Sequence, residues 1–158
     1  MARDLRTEAP PVTVEMLLLC EFMKLEADYW YEVDHRWGRS AHTYYVADGV
    51  FTIGDRSMNG IDAIASFYKW REERGERTAR HVVTNFRLAY HENGRAEFEC
   101  ILNLYASDGR PPLRSEPAIM IADIRGTCVR ANDGRWRFRS HVLDPIFTSD
   151  TPATIPPA

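Results

Sequence analysis

Ionisable side chains interrupt apolar patterns at two places where they could take part in chemistry. Asp34 extends a helical stripe that includes Met23 and Trp30, and His81 stands at the start of a strand. A carboxylate on an apolar stripe needs a partner or a wet cavity, because an unpaired buried charge is costly. The alternative interpretation of Asp34 is an exposed helix-end residue, or one that caps a neighbouring turn.

The chemistry available to His81 depends on its surroundings. Strand alternation puts His81, Val83 and Asn85 on one face of the sheet. A neutral imidazole held by a carboxylate is a competent general base near neutral pH. The other interpretation is a structural histidine whose ring nitrogens are satisfied by neighbours, and the residues alone leave both open.

A later strand contains a third interruption, at Asp123. This residue shares a strand face with Ile121 and Arg125. One interpretation is a structural Asp123–Arg125 salt bridge, and the other is a polar wall of a pocket. We include all three residues among the candidate substrate-binding residues, together with Leu102 and Leu104 from an apolar face of the preceding strand.

The elements that must position these side chains fall into two groups. Helical spacing predicts a long helix from Thr13 to Gly38, a short helix over 40–47, and a third helix between Gly60 and Gly75. Period-two spacing predicts a short hairpin over 50–58 and long strands over 80–91, 95–106, 117–129 and 136–147. This order predicts an α+β fold, with about three N-terminal helices on the concave face of a cone-shaped, curved antiparallel sheet that encloses a pocket.

Composition divides the chain into three parts. Residues 1–12 are interpreted as a flexible N-terminal arm, 13–147 as one domain, and 148–158 as an irregular tail whose prolines disfavour helix and central strand. Because the tail is low in charge, we expect it to pack over a pocket mouth or against a neighbouring subunit.

Several function classes are disfavoured. The formal charge of -3 argues against a nucleic-acid partner. No apolar run reaches the roughly 18 residues of a membrane span, and the first residues lack an apolar signal core, so we expect no membrane partner and a cytoplasmic location. Without a Gly-rich phosphate loop, a C-x-x-C pair or an H-x-x-H pair, we expect neither cofactor nor metal.

The order of elements resembles the nuclear-transport-factor-2-like cone. Three local patterns add to this resemblance: Val33-Asp34-His35, Gly60-x-x-x-Ile64-x-x-Phe67, and the segment 80–88. Together they resemble the SnoaL-like branch that includes scytalone dehydratase, bile-acid 7α-dehydratase and hexachlorocyclohexane dehydrochlorinase. The resemblance covers about residues 13–147.

The resemblance also implies roles for individual residues. Enzymes of this branch pair an Asp on the long helix with a His on the first long strand, and the matching residues are Asp34 and His81. Five residues before the Asp these enzymes place a further active-site side chain, which is Tyr29 here, and we add the adjacent Trp30 to the substrate-binding set. A cationic group on the last strand matches His141, where an Arg is common.

Two functions follow from different classes of protein. The first is a cofactor-independent lyase of the dehydratase type, or an isomerase, acting on a small hydrophobic cyclic substrate with Asp34 and His81 as the general-base pair. The alternative is a non-catalytic ligand carrier or accessory protein, similar to the β-subunit of a ring-hydroxylating dioxygenase, because this fold hosts both. A direct Asp34–His81 hydrogen bond facing a closed pocket favours the enzyme, whereas a pocket filled by side chains favours the accessory role.

Strands that are apolar on both faces predict a homo-oligomer, with a trimer favoured over a dimer. Phe86, Leu88, Ile101 and Tyr105 are expected to face away from the helices. Such a patch would be large for a monomeric soluble protein.

Overall fold

The computed structural model describes residues 11–155 as an α+β domain. Its elements are α1 (Val14–Arg36), a 3₁₀ helix (Ala41–Tyr44), β1 (Tyr45–Ile53), β2 (Arg56–Asn59), α2 (Ile61–Glu73), β3 (Arg77–Glu92), β4 (Arg95–Asp108), β5 (Met120–Arg130) and β6 (Trp136–Thr148). The expected count of three helices is wrong for the described residues, because the segment 40–47 makes only one 3₁₀ turn. Tyr45 and Val46, which favour extended backbone, already belong to β1.

The six strands form one curved, unclosed sheet in the order β2-β1-β6-β5-β4-β3. Pairing is antiparallel except between β1 and β6, which run parallel. The expectation of a purely antiparallel sheet is therefore corrected at this one pair. The last strand therefore lies beside the first.

Helix α1 is held at both ends by its sequence. The Thr13 side chain accepts a hydrogen bond from the Met16 amide, and the helix ends where Trp37 and Gly38 take positive φ angles. A Cβ at Gly38 would lie 2.3 Å from the Tyr68 ring, so only glycine fits there. This close contact fixes the C-terminal end of α1, which carries Asp34, against α2.

A bulge in β3 changes which side chains face the core. Asn85 has a φ of 57°, and the pairing register with β4 shifts between Thr84 and Arg87. One extra residue reverses strand alternation. Phe86 and Leu88 consequently pack against the core, which corrects their expected outward direction.

The outer face of the sheet retains a mostly apolar row despite this correction. Val82, Asn103, Ile121 and Phe147 are register partners across β3, β4, β5 and β6. Val82 and Phe147 are 44% and 66% exposed, and Tyr105 lies beside them at 42%.

No helix among the described residues is long and apolar enough to cross a bilayer.

We propose that this outer row is a self-association surface, with a trimer favoured over a dimer. Replacing Phe147 with Glu should shift the protein toward monomer in light scattering, because association would then bury an unpaired charge in an apolar contact. Thr127→Glu, on β5 beyond this row, is the control. A monomeric wild-type protein at micromolar concentration would contradict the proposal.

Candidate active site

Asp34 and His81 are joined by two hydrogen bonds between the end of α1 and the start of β3. The Asp34 Oδ1 and His81 Nδ1 atoms are 2.6 Å apart, and the His81 backbone amide donates to Asp34 Oδ2 at 2.9 Å. Both side chains are only 5% exposed. A carboxylate can only accept, so Nδ1 carries the proton and Nε2 is left with a free lone pair. The two contacts fix the orientation of the ring.

The Trp30 indole lies flat against His81 and completes its enclosure. The two ring centroids are 4.1 Å apart, with planes inclined by 9°. Burial lowers the pKa of His81, the contact with Asp34 opposes that shift, and the positive charge of Arg71 adds to it. The net direction is downward, so the imidazole is the neutral, proton-accepting form at neutral pH.

His81 and Trp30 form part of the wall of a small inner cavity. The cavity has a volume of about 30 Å³, and its other wall residues include Phe51, Phe67, Tyr68 and Arg71. This is the space of about one water molecule. The walls are mostly apolar and include several aromatic side chains, as is common for small-molecule sites.

The segment 152–155, which we call the strap, forms one wall of this cavity. Ala153, Thr154 and Ile155 line it, and the Arg77 guanidinium donates to the Pro152 carbonyl at 2.9 Å. The expectation that the tail packs over a pocket mouth agrees with this placement for the described residues. Residues 156–158 lie outside the described part of the chain.

A second cleft, which we call the mouth cleft, lies beside the inner cavity. This mouth cleft has a volume of about 260 Å³, and Asp34, Arg80 and Arg110 are among its lining residues. Arg71 and Thr154 line both the mouth cleft and the inner cavity. These two residues therefore mark the boundary between the cleft and the cavity beside His81.

A chain of buried hydroxyl groups runs behind the cavity. The Tyr68 and Tyr29 hydroxyls share a short hydrogen bond, and Tyr45 donates to the Tyr29 hydroxyl at 3.0 Å. The Tyr45 hydroxyl also lies 3.0 Å from His141 Nδ1. Burial raises the pKa of each tyrosine well above its usual range, so all three stay protonated.

This chain ends at Glu26, which is fully buried on α1. Glu26 Oε2 accepts a hydrogen bond from the Trp30 indole N–H at 2.7 Å. Glu26 Oε1 is 3.0 Å from His141 Nε2, although the angle between them is not that of a hydrogen bond. The array from Tyr68 to Glu26, which we call the buried polar chain, thus supports the indole that stacks on His81.

The other predicted site residues divide between the cavity, the core and the surface. Leu104 lines the cavity with Trp30, whereas Tyr29, Leu102 and His141 are fully buried in the core and do not line it. His141 therefore does not present a cationic group to the cavity. The His141 ring is instead stacked on Phe138, with centroids 4.4 Å apart.

Three predicted residues of β5 lie on the outer face of the sheet. Asp123 and Arg125 are exposed and Ile121 is half-buried, while the inward positions are Met120, Ala122 and Ile124. Arg125 pairs with Asp144 of β6, so the expected pair with Asp123 does not form. The placement of these residues corrects their assignment to the pocket.

Sequence reasoning missed four residues around the site. Glu26, Tyr45 and Tyr68 belong to the buried polar chain, and Arg71 lines the cavity. Glu26 carried a usable signal, because it stands between Phe22 and Tyr29 at helical spacing and four residues before its partner Trp30. Arg71 carried none, since it lies in the charged run 71–74, which is typical of a solvated helix end.

The chain has the nuclear-transport-factor-2-like fold. No family model and no curated protein matches the sequence, but solved structures match the fold over most of its length. A scytalone dehydratase candidate from Novosphingobium aromaticivorans shares 16% identity at a TM-score of 0.74, covering 87% of this chain and 90% of that one. ActVI-ORFA from Streptomyces coelicolor shares 13% identity at a TM-score of 0.73, covering 84% and 97%. A protein from Catenulispora acidiphila in complex with S-DNPA shares 19% identity at a TM-score of 0.66, covering 82% and 93%.

Proposed function

We propose that this protein is a cofactor-independent lyase of the dehydratase type, or an isomerase, that acts on a small hydrophobic cyclic compound. The observation that carries the proposal is the Asp34–His81 hydrogen bond at the wall of an aromatic cavity. In this arrangement His81 Nε2 is the general base, and Asp34 holds the ring and stabilises the imidazolium that forms.

The reaction begins at a carbon atom next to an activating carbonyl group. His81 Nε2 removes a proton from that carbon, and the C–H electron pair moves toward the carbonyl oxygen. In the elimination the enolate then re-forms the carbonyl, a C=C bond is made, and the C–O bond of a hydroxyl group breaks. The imidazolium gives its proton to the departing hydroxyl, so water leaves and His81 returns to its neutral form. In the isomerisation the same proton returns to a different carbon.

The walls of the cavity support a cyclic, apolar substrate. Trp30, Phe51 and Phe67 offer ring faces and edges, and Leu104 and Met120 fill the space between them. Aromatic side chains of this kind bind rings through stacked and edge contacts. A scytalone dehydratase candidate among proteins of this fold is consistent with this class of substrate.

The competing candidate is a ligand-binding or accessory protein without catalysis, such as a ligand carrier. The observation in its favour is the cavity volume of about 30 Å³, which is far below the space that a ring compound occupies. In the enzyme, the strap must move to admit the substrate. In the accessory protein, the strap and the side chains of the cavity wall stay in place and leave no room for a ring compound.

Deuterium exchange separates the two candidates without knowledge of the natural substrate. The protein is mixed with 2-tetralone, an enolisable cyclic ketone, in D₂O, and NMR follows the loss of the α-proton signals. The enzyme should accelerate exchange above the buffer rate, and His81→Ala should return it to that rate. A wild-type protein that binds 2-tetralone in a thermal-shift assay without accelerating exchange would support the ligand-binding protein instead.

The strap leads to a separate prediction. Truncation after Asp150 should weaken the binding of 2-tetralone, because it removes the apolar wall made by Ala153 and Ile155 and admits water to the cavity. Arg77→Ala should have a smaller effect in the same direction, since it removes the hydrogen bond to the Pro152 carbonyl. The control is Arg110→Ala, which breaks a surface pair with Glu76. Unchanged binding in the truncated protein would contradict a covering role for the strap.

A further inference from the structure

Arg71 is the cation that borders the inner cavity. It lies near the C-terminal end of α2, is half-buried, and lines the cavity together with His81 and Tyr68. Its guanidinium carbon lies 5.5 Å from the centroid of the Tyr68 ring and 5.8 Å from that of Phe67. These contacts hold the guanidinium against the aromatic wall.

Within residues 11–155, Arg71 has no carboxylate within 4.0 Å, unlike most arginines around it. Arg39 pairs with Glu72, Arg77 with Asp108, and Arg110 with Glu76. A guanidinium at the edge of an apolar cavity loses part of its hydration, and a hydrogen bond to an acceptor group compensates for that loss. Among residues 11–155 no acceptor completes this site.

We propose that Arg71 binds an oxyanion of the substrate, so that the substrate class is a cyclic anion of which an aromatic carboxylate is the simplest example. This inference rests on the proposed function, because it identifies which ring compound the cavity beside His81 accepts. Planar guanidinium and carboxylate groups match in two parallel hydrogen bonds, which fixes the ring of the ligand relative to the wall. The mouth cleft is lined by more arginines than carboxylates, which gives the approach to the cavity the same positive sign.

Binding of an anion at Arg71 would also affect the base. The positive charge of Arg71 is one of the influences that lower the pKa of His81. A bound oxyanion offsets that charge, so the imidazolium formed during proton transfer is opposed less in the complex than in the free protein. The oxyanion that orients the ligand at Arg71 therefore also makes proton removal by His81 easier.

The test compares two neutral-to-anionic pairs of ring compounds by calorimetric titration of the full chain. The probes are 1-naphthoate against 1-naphthamide and benzoate against benzamide, which differ in charge and hardly in shape. The wild-type protein should prefer each carboxylate by roughly tenfold or more, as expected for a charge-assisted hydrogen bond. Arg71→Met should lose this preference while keeping its affinity for the amides, and Arg71→Lys should retain part of it.

Arg74→Met is the matched control, because it also removes one positive charge, at the C-cap of α2 three residues after Arg71. Arg74 lies over Trp70, with its guanidinium 4.8 Å from the ring centroid, and does not line the inner cavity. A preference that survives in Arg71→Met, an equal loss in Arg74→Met, or a wild-type protein that binds neither member of a pair would overturn the proposal.

The result is separable from the fate of the proposed function. His81→Ala should keep the preference for carboxylates even though it cannot transfer protons. If the wild-type protein fails to catalyse deuterium exchange but prefers carboxylates through Arg71, the anion site stands and the catalytic role falls. If the wild-type protein catalyses deuterium exchange but does not prefer carboxylates, the catalytic role stands and the anion site at Arg71 falls.

Discussion

Replacing His81 with Ala should lower the rate of proton transfer by at least about 10²-fold, while the protein remains folded. The variant lacks the only ring nitrogen in the described cavity wall that can accept a proton, and the small side chain leaves the backbone contact with Asp34 in place. The rate is measured as α-deuterium exchange of 2-tetralone, and folding by circular dichroism. His91→Ala is the matched control, because His91 lies on the same strand at an exposed position.

Asp34→Asn addresses the role of the carboxylate. The side chain keeps its size but loses the charge that stabilises the imidazolium, so the exchange rate should fall more than the affinity for 2-tetralone. Near-wild-type rates in both His81→Ala and Asp34→Asn would show that the hydrogen-bonded pair is structural.

The pH dependence of exchange has a defined sign. Burial places the pKa of His81 below its ordinary value of 6.5. The base is therefore neutral and active above that range, and the rate should fall as the pH decreases through the lowered pKa. The free energy of unfolding should also fall as the pH decreases. His81 is protonated at a higher pH in the unfolded chain than in the folded protein, so acid stabilises the unfolded state. A rate that rises on acidification would contradict His81 as the base.

The sequence was sufficient for the parts of the site that depend on simple periodicity. The long helix and the first long strand follow from their apolar spacing, and these two elements bring Asp34 and His81 together. Resemblance contributed the pairing itself, since residue patterns alone left each side chain with a structural interpretation.

The errors arose where two faces of a strand look alike. In β3 a single αL residue, Asn85, reverses the alternation and turns Phe86 and Leu88 inward, and nothing in the local apolar pattern marks that bulge. At the start of β5 the run from Ile119 to Ala122 is apolar at every position, so hydropathy did not determine which face of the strand Asp123 occupies. Long-range pairing, such as β1 beside β6, leaves no local signal at all.

The buried polar chain leads to the largest expected effect on stability. Glu26→Ala removes a fully buried carboxyl group, leaves the Trp30 indole N–H without its acceptor, and leaves His141 without the carboxyl oxygen 3.0 Å away. Breaking a buried pair on one side costs about 3–5 kcal/mol, so the melting temperature should fall by roughly 10 °C or more. Urea denaturation measures the change, and Glu21→Ala, at an exposed position of the same helix, is the control.

Two further variants distinguish the charge from the packing. Glu26→Gln preserves the volume and the acceptor for Trp30, so it should recover much of the stability lost in Glu26→Ala. Combining Glu26→Leu with His141→Leu removes both polar partners at once, and it should cost less than the two single changes added together, because neither group is left buried alone. The Trp30 indole should then stack less firmly on His81, which the exchange assay would report as a slower rate. A Glu26→Ala protein as stable as the Glu21→Ala control would mean that the buried polar chain does not hold the indole, and that Trp30 is fixed by packing against His81 alone.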